Sequence, residues 1–113
     1  MKIKFNAKEV EYSEAIDGEI IQISFGENDS DDILENPYNY ITISVNYEFP
    51  PIEPTIEWCD GVEFTGGNDI KSYAITNDSF QLDLSDNVSF DISFKTNEEK
   101  LKNIEAFLLD IFR

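Results

Sequence analysis

SFQLDLSDNVSFDISF, residues 79–94, is the stretch that decides the fold class of this chain. Apolar and polar residues alternate on both sides of the turn-forming residues 85–87, and a period of two is typical of strands with one buried face. Two strands, 79–84 and 88–94, joined by a tight turn predict an antiparallel pair. The residues predicted to face the core are the apolar ones: Phe80, Leu82, Leu84, Val88, Phe90, Ile92 and Phe94.

The residues after this hairpin change to a helical pattern. The segment 96–99 has the form of a capping box, with Thr96 as the N-cap and Glu99 three residues later. Apolar residues then recur at the 3.6-residue spacing of a helix, so a helix is predicted over 97–112 with its apolar stripe covering one face of a sheet. The stripe consists of Leu101, Ile104, Phe107, Leu108 and Ile111.

Strand patterns also dominate the chain before the hairpin. The predicted strands are 2–8 with an extension through Tyr12, 19–25, 38–49, 55–59 and 70–76, and 62–64 is predicted as a short returning arm. The proline-rich segment 49–54 ends the longest strand, because proline cannot donate to a strand ladder. With 113 residues, one domain is expected. The prediction is a single acidic α+β domain, residues 1–113, in which an antiparallel meander of about six strands is packed by one C-terminal helix.

Charge is distributed unevenly along the chain. It has 24 acidic and 8 basic residues, a net charge of −16, and no basic residue between Glu9 and Ile70. That stretch holds sixteen of the acids, whereas the remaining eight acids are balanced by the eight bases. Such a field repels nucleic-acid phosphates and anionic membrane surfaces and attracts basic proteins. Neither nucleic acid nor membrane is therefore expected as a partner.

The composition argues against several kinds of catalysis. The chain has no histidine and one cysteine, so it lacks the usual general base and cannot form an intrachain disulfide or a thiolate zinc cluster. The acidic neighbours of Cys59 disfavour a nucleophilic thiolate. The segment 65–68 contains two glycines but no lysine, and it lacks the spacing of a phosphate-binding loop. No catalytic or cofactor-binding residue is predicted.

The acidic loop 27–35 is the segment closest to a metal-binding pattern. If Asp29 occupied the first position of an EF-hand loop, Leu34 would stand where glycine is required and Tyr40 where glutamate is required. The match fails, and a solvated loop is the preferred interpretation. No metal site is predicted.

The N-terminal residues and the hydropathy of the chain bear on its location. Residues 1–6 alternate apolar and polar side chains, without the apolar run of a signal peptide. No stretch approaches the roughly 18 apolar residues that a membrane helix needs. The lone Cys59 fits a reducing compartment. The expected location is the cytoplasm.

A pattern of strands, turns and apolar positions runs along nearly the whole chain. It consists of Phe5, Ala7, Val10, Tyr40, Ile41, Ile56, Glu57, Trp58, Asp60, Gly66, Gly67, Ile70, Phe80, Leu82, Leu84, Ile92, Phe94 and the C-terminal run 108–112. This pattern resembles a family of small immunity proteins from bacterial polymorphic toxin systems, the tenth in that numbered series, although the proline-rich segment 49–54 is not part of it. The resemblance implies a non-enzymatic protein that binds a cognate toxin domain in the producing cell and blocks it.

Candidate partner-binding residues come from the charge map, because the resemblance transfers no residue-level site. Tyr38 and Tyr40 are predicted as aromatic anchors, since tyrosine is typical of interfaces and Tyr40 shares a strand face with Thr42 and Ser44. Tyr47 and Trp58 are expected in the core or at its edge. The acidic candidates are Glu27, Asp29, Asp31, Asp32, Glu35, Glu48, Glu53, Glu57, Asp60 and Glu63.

Together with the charge map, the resemblance implies an immunity-type protein that neutralises a basic toxin domain through an acidic surface. A secretion chaperone or an acidic DNA mimic that occupies a nucleic-acid-binding protein is the alternative. A calcium-binding domain, or an enzyme that uses paired carboxylates, ranks last because the chain offers no histidine and little sign of a cleft.

Overall fold

The computed structural model describes residues 1–28, 37–48, 50 and 52–112. The predicted binding residues Asp29, Asp31, Asp32 and Glu35 lie outside this part of the chain, as do Phe49 and Pro51 of the proline-rich segment. Within the described residues the chain forms nine strands and one helix. Their bounds are β1 Lys2–Ala7, β2 Glu9–Ala15, β3 Ile20–Gly26, β4 Asn39–Asn46, β5 Thr55–Asp60, β6 Phe64–Gly66, β7 Ile70–Ile75, β8 Ser79–Leu84, β9 Ser89–Phe94 and α1 Glu98–Ile111.

The strands are divided between two sheets in the described part of the chain. The antiparallel sheet is a meander in the order β2-β3-β4-β5-β6. The mixed sheet has the order β1-β9-β8-β7, with β1 parallel to β9 and the other pairs antiparallel. The α+β class is therefore confirmed. The single sheet of about six strands is replaced by two sheets, each containing a meander of the predicted kind.

The two sheets divide at Lys8: the short first strand predicted over 2–8 ends there, and its alternative extension through Tyr12 belongs to a separate strand. Buried positions are odd-numbered up to Ala7 and even-numbered from Val10, so the period of two shifts by one residue. A continuous strand would turn one set of apolar side chains to the solvent. The bend at Lys8, whose N–H donates to the Gly26 carbonyl at 2.8 Å, sends β1 and β2 into different sheets.

The two sheets face each other across an aromatic core. The ring of Phe25 on β3 stacks on Phe80 of β8, with centroids 4.9 Å apart, and meets Phe94 of β9 edge-on at 5.4 Å. Trp58 on β5 makes an edge contact with Phe90 of β9 at 5.8 Å. These pairs join side chains from opposite sheets, so neither sheet buries its inner face without the other.

The C-terminal helix packs against the same core. Ile104, Phe107 and Leu108 are buried, as the predicted stripe requires. The N-cap is Asn97 rather than Thr96: the Asn97 carboxamide accepts a hydrogen bond from the Lys100 N–H at 2.7 Å. The predicted capping box is therefore wrong, because asparagine one position later caps the first turn with its own side chain.

The contacts of α1 place it on the same side of the antiparallel sheet as the mixed sheet. At the helix end, the Tyr47 hydroxyl donates to Asp110 at 2.9 Å and the Phe112 ring packs on Tyr73 of β7, with centroids 4.4 Å apart. The mixed sheet and α1 thus both lie on the inner side of the antiparallel sheet. In the portion of the chain that is described, no helix is long and apolar enough to cross a membrane.

The longest predicted strand, 38–49, is shorter in the structure. β4 ends at Asn46, whose side-chain oxygen accepts a hydrogen bond from the Glu48 N–H at 2.8 Å. This local turn takes the backbone out of the ladder before the prolines are reached. The face assignment within β4 is confirmed, since Ile41, Ile43 and Val45 are buried.

Candidate protein-binding face

The outer face of the antiparallel sheet is the candidate site. Residues that pair directly across antiparallel strands share a face, and the registers place Gly26, Tyr40, Cys59 and Phe64 in one row across β3 to β6. The side chains inward from this sheet contact the mixed sheet, so this row and its neighbours face the other way. The outer face comprises Glu9, Glu11, Ser13, Gln22, Ser24, Gly26, Tyr40, Thr42, Ser44, Thr55, Glu57, Cys59, Phe64 and Gly66.

The antiparallel sheet coincides with the base-free stretch of the sequence. Its strands begin at Glu9 and end at Gly66, and no lysine or arginine lies between Glu9 and Ile70. The strands of this sheet therefore carry acidic side chains and no basic ones; their acids are Glu9, Glu11, Glu14, Glu57 and Asp60. The basic residues within the described ranges lie on the mixed sheet, at the bend or on the helix side: Lys2, Lys4, Lys8, Lys71, Lys95, Lys100 and Lys102.

Aromatic rings form an apolar centre within this acidic face. Tyr40 lies between Tyr38 and Phe64, with ring centroids 6.4 Å and 6.2 Å away. Cys59, beside Tyr40 and Phe64 in the strand register, is fully buried. Phe64 is 46% exposed, a large fraction for a phenylalanine on a strand. Rings that remain in contact with solvent but are held by neighbouring rings are typical of interface anchors.

The Tyr40 hydroxyl keeps its proton at neutral pH. Burial, and then the neighbouring Cys59, Glu57 and Tyr38, raise the pKa of Tyr40 above its ordinary value. Each of these effects disfavours a negative phenolate. Tyr40 therefore presents an apolar ring with a hydroxyl that can still donate a hydrogen bond.

Open grooves lie on both sides of Tyr40. One, of about 440 Å³, is lined by Tyr40, Glu57, Phe64 and Gly66 among others. The second, of about 220 Å³, lies towards β2 and β3 and includes Glu9 and Tyr38 in its lining. Each groove therefore combines an aromatic wall with a carboxylate, which is a suitable environment for a basic side chain with an extended apolar stem.

The structure brings six of the predicted binding residues to one end of the antiparallel sheet. Tyr40 and Glu57 lie on the outer face, and Tyr38 contacts the Tyr40 ring. The other three lie at the same end of β4: Glu27 follows β3, Asp60 is the last residue of β5, and Glu63 directly precedes β6.

Two of these carboxylates also have structural partners. Glu27 accepts from the Asn39 N–H and from the Asn39 carboxamide, both at 3.2 Å. Asp60 accepts from the N–H groups of Glu63 and Val62 at 2.8 Å and 3.0 Å, and these bonds lower the pKa of Asp60. Asp60 therefore holds the turn before β6 and remains ionised at neutral pH.

Glu48 and Glu53 do not join this group. Glu48 follows β4 and Glu53 precedes β5, so both lie at the opposite end of the sheet from Tyr38. β4 has eight residues, which separates the two ends by roughly 25 Å. Asp29, Asp31, Asp32 and Glu35 lie outside the described residues.

The sequence did not single out Phe64, Glu9 or Glu11. Phe64 was predicted only as the end of a short arm, whereas it begins β6 and pairs with Cys59. The sequence does contain a signal for Phe64: it lies in a short segment between the turn-forming residues 60–61 and the glycines at 66–67. A segment this short between two turns is expected at the surface, so an aromatic ring in it is expected to be exposed.

Other chemistry is sparse among the residues that the structure describes. No group of three or more cysteine or acidic side chains there is arranged to hold a metal ion. Within the same residues, every buried side-chain nitrogen or oxygen has a hydrogen-bond partner.

No protein-family model and no curated protein sequence matches this chain.

Proposed function

We propose that this chain is a non-enzymatic immunity-type protein that binds a cognate bacterial toxin domain and neutralises it through the outer face of the antiparallel sheet. The observation that carries the proposal is the coincidence of the base-free stretch, 9–70, with the strands of that one sheet. The resemblance to small immunity proteins points to the same function. The proposed partner is basic, and the proposed location of the encounter is the cytoplasm of the producing cell.

Electrostatics explains why such a face suits a toxin inhibitor. Many toxin domains are enzymes with basic substrate clefts, which an acidic surface attracts over several ångströms. Complementary charges mainly raise the association rate, by about 10–10³-fold at low salt. An immunity protein needs fast association, because an unbound toxin acts in the cell that makes it.

The aromatic centre explains how a charged face could also hold its partner. Charge pairs at the rim contribute little to the lifetime of a complex, whereas buried aromatic anchors contribute much of the binding free energy. Tyr40 lines two grooves, one of which also includes Glu57 and the other Glu9, so apolar contact at Tyr40 and Phe64 is flanked by carboxylates.

Capture followed by a growth assay tests this function. The tagged chain is used to capture proteins from the lysate of its native host at low and at high salt, and captured proteins are identified by mass spectrometry. Each is then expressed in a bacterial host with and without the chain. We expect a basic protein whose capture fades at high salt, which arrests growth alone and is harmless with the chain present.

Charge-reversal variants connect protection to the proposed face. Glu11→Lys with Glu57→Lys changes the outer face, and Glu99→Lys with Glu105→Lys makes the same change in net charge on the helix. All four side chains are exposed. The first pair should abolish protection and the second should retain it. The proposed function is contradicted if no protein is captured at either salt concentration, or if every captured protein is harmless when it is expressed alone.

A further inference from the structure

The larger groove beside Tyr40 is built into the backbone of β5 and β6. Gly66 pairs with Glu57, and a Cβ atom at Gly66 would lie 2.7 Å from the Ile56 carbonyl oxygen. Real Cβ atoms do not approach backbone oxygen so closely, so the position requires glycine. The absence of a side chain there leaves a groove of about 440 Å³ between Glu57 and the Phe64 ring.

The edge of β6 offers backbone hydrogen-bonding groups next to this groove. In the described part of the chain, the order of the antiparallel sheet ends at β6. The Gly67 N–H donates to the Ile56 carbonyl at 3.0 Å, and the Asp60 N–H donates to the Glu63 carbonyl at 3.3 Å. Because bonded pairs alternate along an antiparallel ladder, Thr65 between them directs its backbone groups towards β5.

It follows that the N–H and C=O groups of Phe64 and Gly66 point away from β5. An exposed strand edge of this kind can accept a further extended strand, as in peptide recognition by strand addition. Successive side chains of an added strand point to opposite faces. Every second side chain would therefore lie on the outer face, beside Phe64.

The chemistry of the groove specifies the side chain that would enter it. Its lining includes Tyr40 and Phe64, whose contacting rings have centroids 6.2 Å apart, and the carboxylate-bearing Glu57. A guanidinium group stacks on aromatic rings and pairs with carboxylates in a fork geometry, whereas an ammonium group does so less well. The surrounding base-free stretch adds charge complementarity to a cationic segment.

We propose that an extended, arginine-containing segment of a basic protein adds to the edge of β6 that faces away from β5 and places an arginine side chain in the groove lined by Tyr40, Glu57 and Phe64. This inference rests on the proposed function, since it names the mode by which the basic partner is recognised. It goes further in specifying backbone pairing at Phe64 and Gly66 and a preference for arginine over lysine.

A peptide titration followed by NMR tests the inference on the intact chain. The probe is a short blocked peptide in which arginine alternates with threonine. The expected result is amide shift changes centred on Phe64 and Gly66, with smaller changes at Tyr40 and Glu57. Replacing arginine by lysine in the peptide should weaken binding by about two- to fivefold, and N-methylation of the paired peptide amides should abolish it.

Matched variants of the chain separate the backbone contact from the ring contact. Phe64→Ala and Phe64→Pro both remove the ring, but only the second also removes the outward N–H group. We expect Phe64→Pro to bind the peptide about three- to tenfold more weakly than Phe64→Ala. Glu57→Gln should weaken binding by about two- to fivefold, and Glu105→Gln should leave it unchanged.

If Phe64→Pro fails to fold, the N-methylated peptide still tests backbone pairing, because its binding is measured with the unsubstituted chain. The inference is overturned if the peptide shifts no amide, if shifts centre on β1 or β7, or if the methylated peptide binds as tightly as its parent. If the peptide does not bind but the chain still protects cells from the toxin, this mode of recognition is wrong and the proposed function stands. A positive titration with no neutralised toxin overturns the proposed function instead.

Discussion

The indole N–H of Trp58 donates a hydrogen bond to the side-chain oxygen of Asn68 at 2.9 Å. Asn68 is the buried polar side chain among the described residues, and its amide nitrogen donates to the Ser85 carbonyl at 3.1 Å. Trp58 belongs to β5 of the antiparallel sheet, whereas Ser85 follows β8 of the mixed sheet. Asn68 therefore ties the sheet that carries the candidate face to the sheet behind it.

Replacing Asn68 by leucine should destabilise the protein. The indole N–H of Trp58 would stay buried without an acceptor, which costs about 1–3 kcal/mol of the free energy of unfolding. Urea denaturation followed by Trp58 fluorescence measures this change. The control is Asn103→Leu on the exposed side of α1, where about 0.5 kcal/mol or less is expected. Equal midpoints for the two variants would show that the hydrogen bond contributes nothing.

Local alternation explains why most elements could be predicted from the sequence. The stretch 79–94 contains β8 with its predicted bounds and β9 starting one residue later, and the helical spacing after it gave α1 to within one residue at either end. These patterns depend on near neighbours alone. The division into two sheets depends on a one-residue shift at Lys8 in the alternation of buried and exposed side chains. Such a shift can produce a bulge, a bend or a strand of another sheet, and only tertiary packing determines which one forms.

The candidate site was predictable to a smaller extent. For Tyr40 and Glu57 the strand face could be predicted, because each belongs to a clearly alternating strand. Glu48 and Glu53 lie at the far end of the sheet, since their position depends on turns after β4 and before β5. Phe64 was not selected, because a three-residue strand has too little periodicity to show which side faces outward.

The stability of the protein should fall as pH rises from about 10 to about 12. Burial, followed by the hydrogen bond to Asp110, raises the pKa of Tyr47 to about 12 from the ordinary value of 10.0. Burial and the bond to Glu14 likewise raise the pKa of Tyr12 to about 12. The unfolded state loses these protons first, so the stabilising effect is complete below pH 10 and is lost as pH passes 12.

The measurement is a series of urea midpoints between pH 9 and pH 12, together with ultraviolet titration of tyrosinate. Tyr47→Phe should make the alkaline loss of stability shallower, since one titrating group is removed. Asp110→Asn keeps a hydrogen-bond acceptor but removes the charge, so it should lower the pKa of Tyr47. An unchanged alkaline slope in both Tyr47→Phe and Tyr12→Phe would contradict this assignment.

Truncating Phe64 should weaken partner binding far more than it weakens folding. The ring is 46% exposed and packs on Tyr40, so Phe64→Ala opens no cavity in the core. If it is an interface anchor, its loss should reduce affinity for the captured toxin about tenfold or more. Calorimetric titration gives the affinity, and thermal unfolding gives the stability. Val62→Ala, two residues away and 75% exposed, should change neither; matching losses in the two variants would remove the special role of the ring.

Reversing charge on the outer face should slow association more than it speeds dissociation. Glu11 and Glu57 are exposed and lie on β2 and β5 of the sheet without bases, where they contribute to long-range attraction. The pair Glu11→Lys and Glu57→Lys should lower the association rate with the captured toxin about tenfold at low salt and flatten its dependence on ionic strength. Stopped-flow fluorescence over a salt series measures both quantities.

The helix pair Glu99→Lys and Glu105→Lys is the matched control, because it changes the net charge by the same amount on α1 instead of on the outer face of the antiparallel sheet. Attraction between exposed charges falls off over a Debye length of about 10 Å at 0.1 M salt. The helix pair should therefore alter the association rate by no more than about twofold. If both pairs slow association equally, the attraction comes from total charge, and the outer face of the antiparallel sheet has no particular part in guiding the partner.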